Sequence, residues 1–89
     1  MSIFENLCVA EDKEVQDFIK LVASNIKKAR QDKGVTQLEL ALMIGQKSSA
    51  FYANAENYAK GRRFNLEHIY KIAKALDINV IDLLKEKNQ

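Results

Sequence analysis

The sequence predicts an all-α fold, a single domain of five helices with an extended first helix. Apolar residues return every three or four positions in five separate runs, as they do when a helix buries one stripe. Each run is bounded by a residue suited to starting or stopping a helix, among them Gly34, Thr36, Gly45, Asn65 and Asn79. No proline, strand-like alternation or internal repeat interrupts this pattern. Eighty-nine residues leave room for one core and not two.

Residues 1–11 hold Ile3, Phe4, Leu7 and Val9, too few to fold alone. They are expected to form an arm or docking segment ahead of a domain over 12–87. Cys8 lies among acidic neighbours and reads as a small hydrophobe, since a reactive thiol needs a nearby cation.

The first helix is predicted from Asp12 to Lys33. Val15, Phe18, Ile19, Val22, Ile26 and Ala29 share one stripe. Acids open the segment and Lys27, Lys28, Arg30 and Lys33 close it, as the helix dipole favours; Gly34 supplies the stop. About six turns exceed what a small helical domain needs. Val15, Phe18 and Ile19 are therefore surplus apolar surface, for residues 3–9 or for a second copy.

Thr36 caps the second helix, and Glu39 completes the T-x-x-E capping box. Leu40, Ala41 and Ile44 form its core stripe. Leu38 and Leu42 lie off that stripe and are expected to be covered by residues 3–9 or by a partner. A third helix from Ser48 or Ser49 to about Asn57 turns Tyr52 and Ala55 inward and Ser49, Ala50 and Asn54 outward. Two helices this short, over about 37–57 with Gly45 between them, cannot bury their own apolar faces. They need flanking helices and present one helix outward, which is the geometry of a helix-turn-helix DNA reader.

The segment NYAKGRRFN follows, with Lys60, Arg62 and Arg63 around Gly61. A flexible basic loop suits phosphates, which need charge and reach; the P-loop spacing is absent. Asn65 caps a fourth helix, in which Leu66, Ile69, Ile72, Ala73 and Leu76 make the apolar face and His68 is expected at the exposed start. Asn79 caps a fifth, from Val80 to Leu84, and the polar tail frays.

The net charge is +2, but residues 15–63 hold nine Lys/Arg against four Asp/Glu. The basic excess thus coincides with the helix pair and points to a polyanion partner. One cysteine excludes an intrachain disulfide and one histidine leaves no metal cluster. No metal and no cofactor is expected. No run approaches the ~20 apolar residues of a membrane span, and the acidic N-terminus does not read as a secretory signal. A cytoplasmic, nucleoid-associated protein is expected. No paired carboxylate with a supporting His, no Ser/His/Asp set and no metal spacing is present, so no catalytic residue is assigned and enzyme activity is not expected.

From about Val22 to Leu84 the chain resembles the DNA-binding domain of the Cro and phage-repressor (XRE-like) family. The carriers are I-K-K-A-R in helix 1, Gly34 before V-T-Q-L-E-L-A, the I-G turn, Ala55-Glu56, F-N-L-E-H-I-Y-K-I-A-K-A-L-D-I and the final V-I-D-L-L. The resemblance implies a lambda-repressor-like fold. It places Ser48, Ser49, Ala50 and Asn54 against base edges, with Phe51 able to meet thymine methyls or to pack beneath the turn. Gln37 would hold a phosphate at the start of helix 2, and Lys47, Lys60, Arg62 and Arg63 would grip the DNA backbone. Arg30 and Glu56 match a structural ion pair.

Two departures stand out. One residue more than the usual pattern lies between Gly45 and Glu56, so either the turn is longer at Gln46–Lys47 or helix 3 is shifted toward Lys47, Ser48 and Phe51 as readers. Short side chains also replace long ones, and only Asn54 can make a bidentate base contact. The expected function is a dimeric, repressor-like transcription regulator that reads a pseudo-palindromic operator in double-stranded DNA. The alternative is a protein-interaction module, antitoxin-like or adaptor, that uses Val15, Phe18, Ile19, Leu38 and Leu42 on a protein partner. Membrane binding is not expected.

Overall fold

A computed structural model describes residues 9–86. Four α-helices follow one another: α1 (Asp12–Asp32), α2 (Gln37–Met43), α3 (Ala50–Glu56) and α4 (Leu66–Leu76), then a short 3-10 turn over Val80–Leu83. No strand occurs among the described residues. Residues 1–8, and with them Cys8 and most of the expected arm, lie outside the described residues.

The core is the sum of the helical stripes. Val22 and Ile26 of α1, Leu40, Ala41 and Ile44 of α2, Tyr52 of α3, and Ile69, Ile72, Ala73 and Leu76 of α4 are buried together with Leu83. Ala41 is fully buried, and its small side chain lets α2 approach its neighbours closely. Residues 12–18 of α1 are all exposed, and burial begins only at Ile19. The first two turns of α1 therefore overhang the core.

The fifth α-helix expected from Val80 to Leu84 is not present; the segment makes one 3-10 turn. The Asn79 side chain accepts from the Ile81 N–H at 2.9 Å, and Asp82 and Leu84 donate to carbonyls three residues back. A cap bonded only two residues on, followed by β-branched Val80 and Ile81, favours this tight turn over an α-helix. The third helix also starts later than Ser48 or Ser49. Lys47–Ser49 form bends, and the Ser48 hydroxyl turns back on the Ala50 N–H at 3.4 Å. Serine competes in this way with helix initiation.

The helices stop by one device. After α2, Gly45 at φ +90° lets its own N–H bond Leu42 O and the Gln46 N–H bond Ala41 O, a Schellman closure. The same pair of bonds closes α3 at Tyr58 and α4 at Asp77, both non-glycine residues held at φ +54°.

Asn25 is buried on α1, and its Nδ2 donates to Leu83 O at 3.1 Å and to Lys85 O at 2.8 Å. One side chain thus ties the end of the fold to the middle of α1 and satisfies two carbonyls that the short turn leaves open. Asn25→Ala is expected to cost about 1–3 kcal/mol. Urea unfolding measures the cost, and amide exchange of Leu84 should accelerate more than exchange in α2. Uniform acceleration throughout the fold would contradict this local role.

Candidate nucleic-acid interface

The anchor of the site is a buried ion pair. Arg30 Nε donates to Glu56 Oε2 at 2.9 Å and Nη2 donates to Oε1 at 2.9 Å. Its Nη1 donates to Val35 O at 2.7 Å. This bidentate fork locks α3 against α1 and the start of α2. Gln37 joins it, with Nε2 donating to Glu56 Oε1 at 3.1 Å. Part of the Gln37 amide, expected on a phosphate, is therefore spent inside the protein. Burial alone would raise the Glu56 carboxyl, but the bonds from Arg30 and Gln37 hold it below its usual range. Tyr52 packs beside the pair; its hydroxyl is buried and, among the described residues, has no hydrogen-bond partner, and burial drives its pKa well above the ordinary value.

With Glu56 paired and Tyr52 and Ala55 buried, the orientation of α3 is set. Its outward face carries Ala50, Ala53, Asn54 and Asn57, at helical spacing. Ala50 and Asn57 are exposed, while Ala53 and Asn54 are half-buried. α3 begins at Ala50, and the chain between Gly45 and Ala50 forms the turn that leads into it. Lys47 and Ser48 are exposed on that turn and Ser49 is half-buried.

Phe51 is half-buried and belongs to an aromatic cluster. Its ring lies 4.9 Å from the His68 ring and 6.3 Å from Phe64, and Phe64 lies 5.4 Å from Tyr52. Its aromatic partners thus come from the end of the basic loop and from α4.

The loop from Asn57 to Asn65 has a defined shape. The Arg62 N–H donates to Ala59 O at 3.1 Å, with Lys60 at φ +55° and Gly61 at φ +67° between them. Two left-handed central residues make this a type I′ turn, which Gly61 fits freely and Lys60 enters at a cost. Lys60, Arg62 and Arg63 are exposed, and among the described residues none of them forms an ion pair. The loop is held at both ends. The Lys20 ammonium lies 5.1 Å over the Tyr58 ring, and Phe64 is fixed in the aromatic cluster.

His68 is half-buried, not exposed. It closes a reciprocal cap: its N–H donates to Asn65 Oδ1 at 2.8 Å, and its Nδ1 accepts from the Asn65 N–H at 3.1 Å. Burial lowers its pKa from the usual 6.5. Folded-state values are thus depressed for both His68 and Glu56, and each contributes stability at higher pH that is lost on acidification. The melting temperature is expected to fall first as pH drops below 6.5, and again below the usual Glu56 value of 4.5. His68→Gln keeps an acceptor at this cap position and should abolish the first step in thermal melts across pH; an unchanged first step would assign it elsewhere.

The surplus apolar residues stay uncovered by the described part of the chain. Val15, Phe18, Leu38 and Leu42 are 42–54% exposed, as is Met43. Ile19 is half-buried and, with Phe18, lines an apolar cleft of about 210 Å³ against Leu66, Ile69 and Leu84. The Phe51–Phe64–His68 cluster is not legible in the sequence, since its rings come from separate segments of the chain.

Among the described residues no group of three or more His, Cys, Asp and Glu could hold a metal ion, and no helix is long and apolar enough to cross a membrane. A family model described as helix-turn-helix matches residues 26–83, which includes the Arg30–Glu56 pair, the turn, α3 and the basic loop. The comparisons with curated proteins and with solved structures returned no match.

Proposed function

The chain belongs to the helix-turn-helix family of Cro and the phage repressors (XRE-like), a family of DNA-binding domains, and from this premise we propose that it is a sequence-specific transcription regulator. On this reading α3 enters the major groove and the protein acts without enzymatic chemistry. The supporting observation is that three cations without an ion pair among the described residues, Lys60, Arg62 and Arg63, sit on a shaped loop that leaves directly from the C-terminal end of α3. Phosphate contacts set register, and the outward face of α3 then meets base edges. Lys47 and the free N–H of Gln37 extend the phosphate grip to the turn and to α2.

Two copies reading a pseudo-palindrome would place their α3 helices about one DNA turn apart. The overhanging Val15 and Phe18, with half-buried Ile19 beside them, supply a surface for that pairing, and occupancy of a promoter would block transcription. The domain is taken as 12–87, residues 1–11 as its arm, and the cytoplasmic nucleoid as its location.

Fluorescence anisotropy with duplexes drawn from a randomised-site selection tests this. Affinity should fall linearly with the logarithm of salt concentration, by roughly 0.9 log units per decade for each phosphate contact. Failure to bind any duplex, or binding indifferent to salt, would sink the proposal. A second reading, an antitoxin-like or adaptor module, is favoured by the half-exposed Leu38, Leu42 and Met43 on α2. Recovery of a stoichiometric protein partner that Leu38→Asp with Leu42→Asp releases, with no DNA bound, would select it.

A further inference from the structure

We propose that direct base readout by the α3 helix is confined to a single adenine–thymine pair in each half-site, recognised by Asn54 and flanked by thymine. This rests on the DNA-binding reading above and names what the bound sequence must contain.

The outward face of α3 offers four side chains, Ala50, Ala53, Asn54 and Asn57. Two of them carry nothing beyond a methyl group. Asn54 lies one turn into the helix, and among the described residues its side-chain amide makes no hydrogen bond. Donor and acceptor are both unspent. That is the chemistry that pairs with adenine, whose N6 amino group donates and whose N7 accepts. The contrast with Gln37 is informative, since one N–H of its amide is already given to Glu56. Among the described residues the Asn57 amide is also free, but it sits at the C-terminal end of α3, about 10 Å further along the axis than Ala50. Recognition helices meet bases through their N-terminal residues.

Ala50 and Ala53 flank Asn54 on the same face. Methyl groups cannot hydrogen-bond base edges, but they make good contact with the C5 methyl of thymine. Guanine, the commonest partner of arginine and lysine, has no reader on α3, because no arginine or lysine lies between Ala50 and Glu56. Phe51, the largest side chain near this face, is held by His68 and Phe64 and is not free to enter the groove. The remaining selectivity then comes from backbone grip and DNA shape.

Randomised-duplex selection with the full chain, run in parallel for the wild type, Asn54→Ala and Asn57→Ala, tests this. The wild type should enrich one invariant adenine per half-site with adjacent thymines. Asn54→Ala should lose preference at that position alone while keeping its salt dependence and its melting temperature. Asn57→Ala should leave the enriched sequence unchanged. Replacing the selected adenine by 7-deazaadenine should weaken wild-type binding on the order of tenfold and leave Asn54→Ala unaffected, and uracil for the flanking thymines should weaken it by a few-fold. An invariant guanine, or an Asn54→Ala consensus identical to the wild type, would overturn this assignment while leaving DNA binding intact. Binding without any enriched sequence would overturn both it and the sequence-specific reading.

Discussion

Glu56→Ala should destabilise the domain by about 3–5 kcal/mol, a large part of the total stability of a small protein. The Glu56 side chain is fully buried, and it accepts from two nitrogens of Arg30 and from Gln37. Removing it leaves a guanidinium charge inside the fold with one remaining partner, the Val35 carbonyl. Most of the cost is that uncompensated charge and not the worth of the pair itself. Urea unfolding measures it, and the double variant Arg30→Met with Glu56→Leu separates the two contributions. The double variant should recover most of the stability, because neither charge is then buried. A single variant that loses less than about 1 kcal/mol would mean that water reaches Arg30 and the pair is not sealed.

The second large effect is on binding. Replacing Lys60, Arg62 and Arg63 together by alanine should lower affinity for any duplex on the order of a hundredfold near 0.1 M salt. The salt slope should shrink by about 0.9 for each contact removed. Stability should barely change, since all three side chains are exposed and, among the described residues, form no ion pair. This is the opposite signature to Asn54→Ala, which alters which sequence is bound and leaves the salt slope in place. Unchanged slope in the triple variant would remove the loop from the interface and shift the phosphate grip to Lys47 and Gln37.

Periodicity made the core legible. The stripes of α1, α2 and α4 are regular, and local capping residues such as Thr36 and Asn65 mark where helices begin. The Arg30–Glu56 pair came from resemblance, since no local rule connects residues 26 positions apart. Where the sequence reading failed, local and long-range preferences diverged. The serines at 48 and 49 serve equally as cap, turn or first helical residue. Asn79 followed by Val80 and Ile81 looks like a capped helix until its bond to Ile81 closes a tighter turn. Phe51 reads two ways on α3 alone, and its ring contacts come from Phe64 and His68, more than ten residues away. The outward strip of α3 was partly legible from spacing, but its boundaries depended on where α3 starts.

The left-handed pair at Lys60 and Gly61 has a calorimetric consequence. A loop already folded into a type I′ turn, with Tyr58 under Lys20 at one end and Phe64 packed at the other, has little conformational freedom left to surrender. On the proposed function the loop backbone meets phosphates without an ordering penalty, and only the exposed cationic side chains lose freedom. The entropy of association should then be dominated by released counterions, and the heat-capacity change should match rigid docking, not coupled folding.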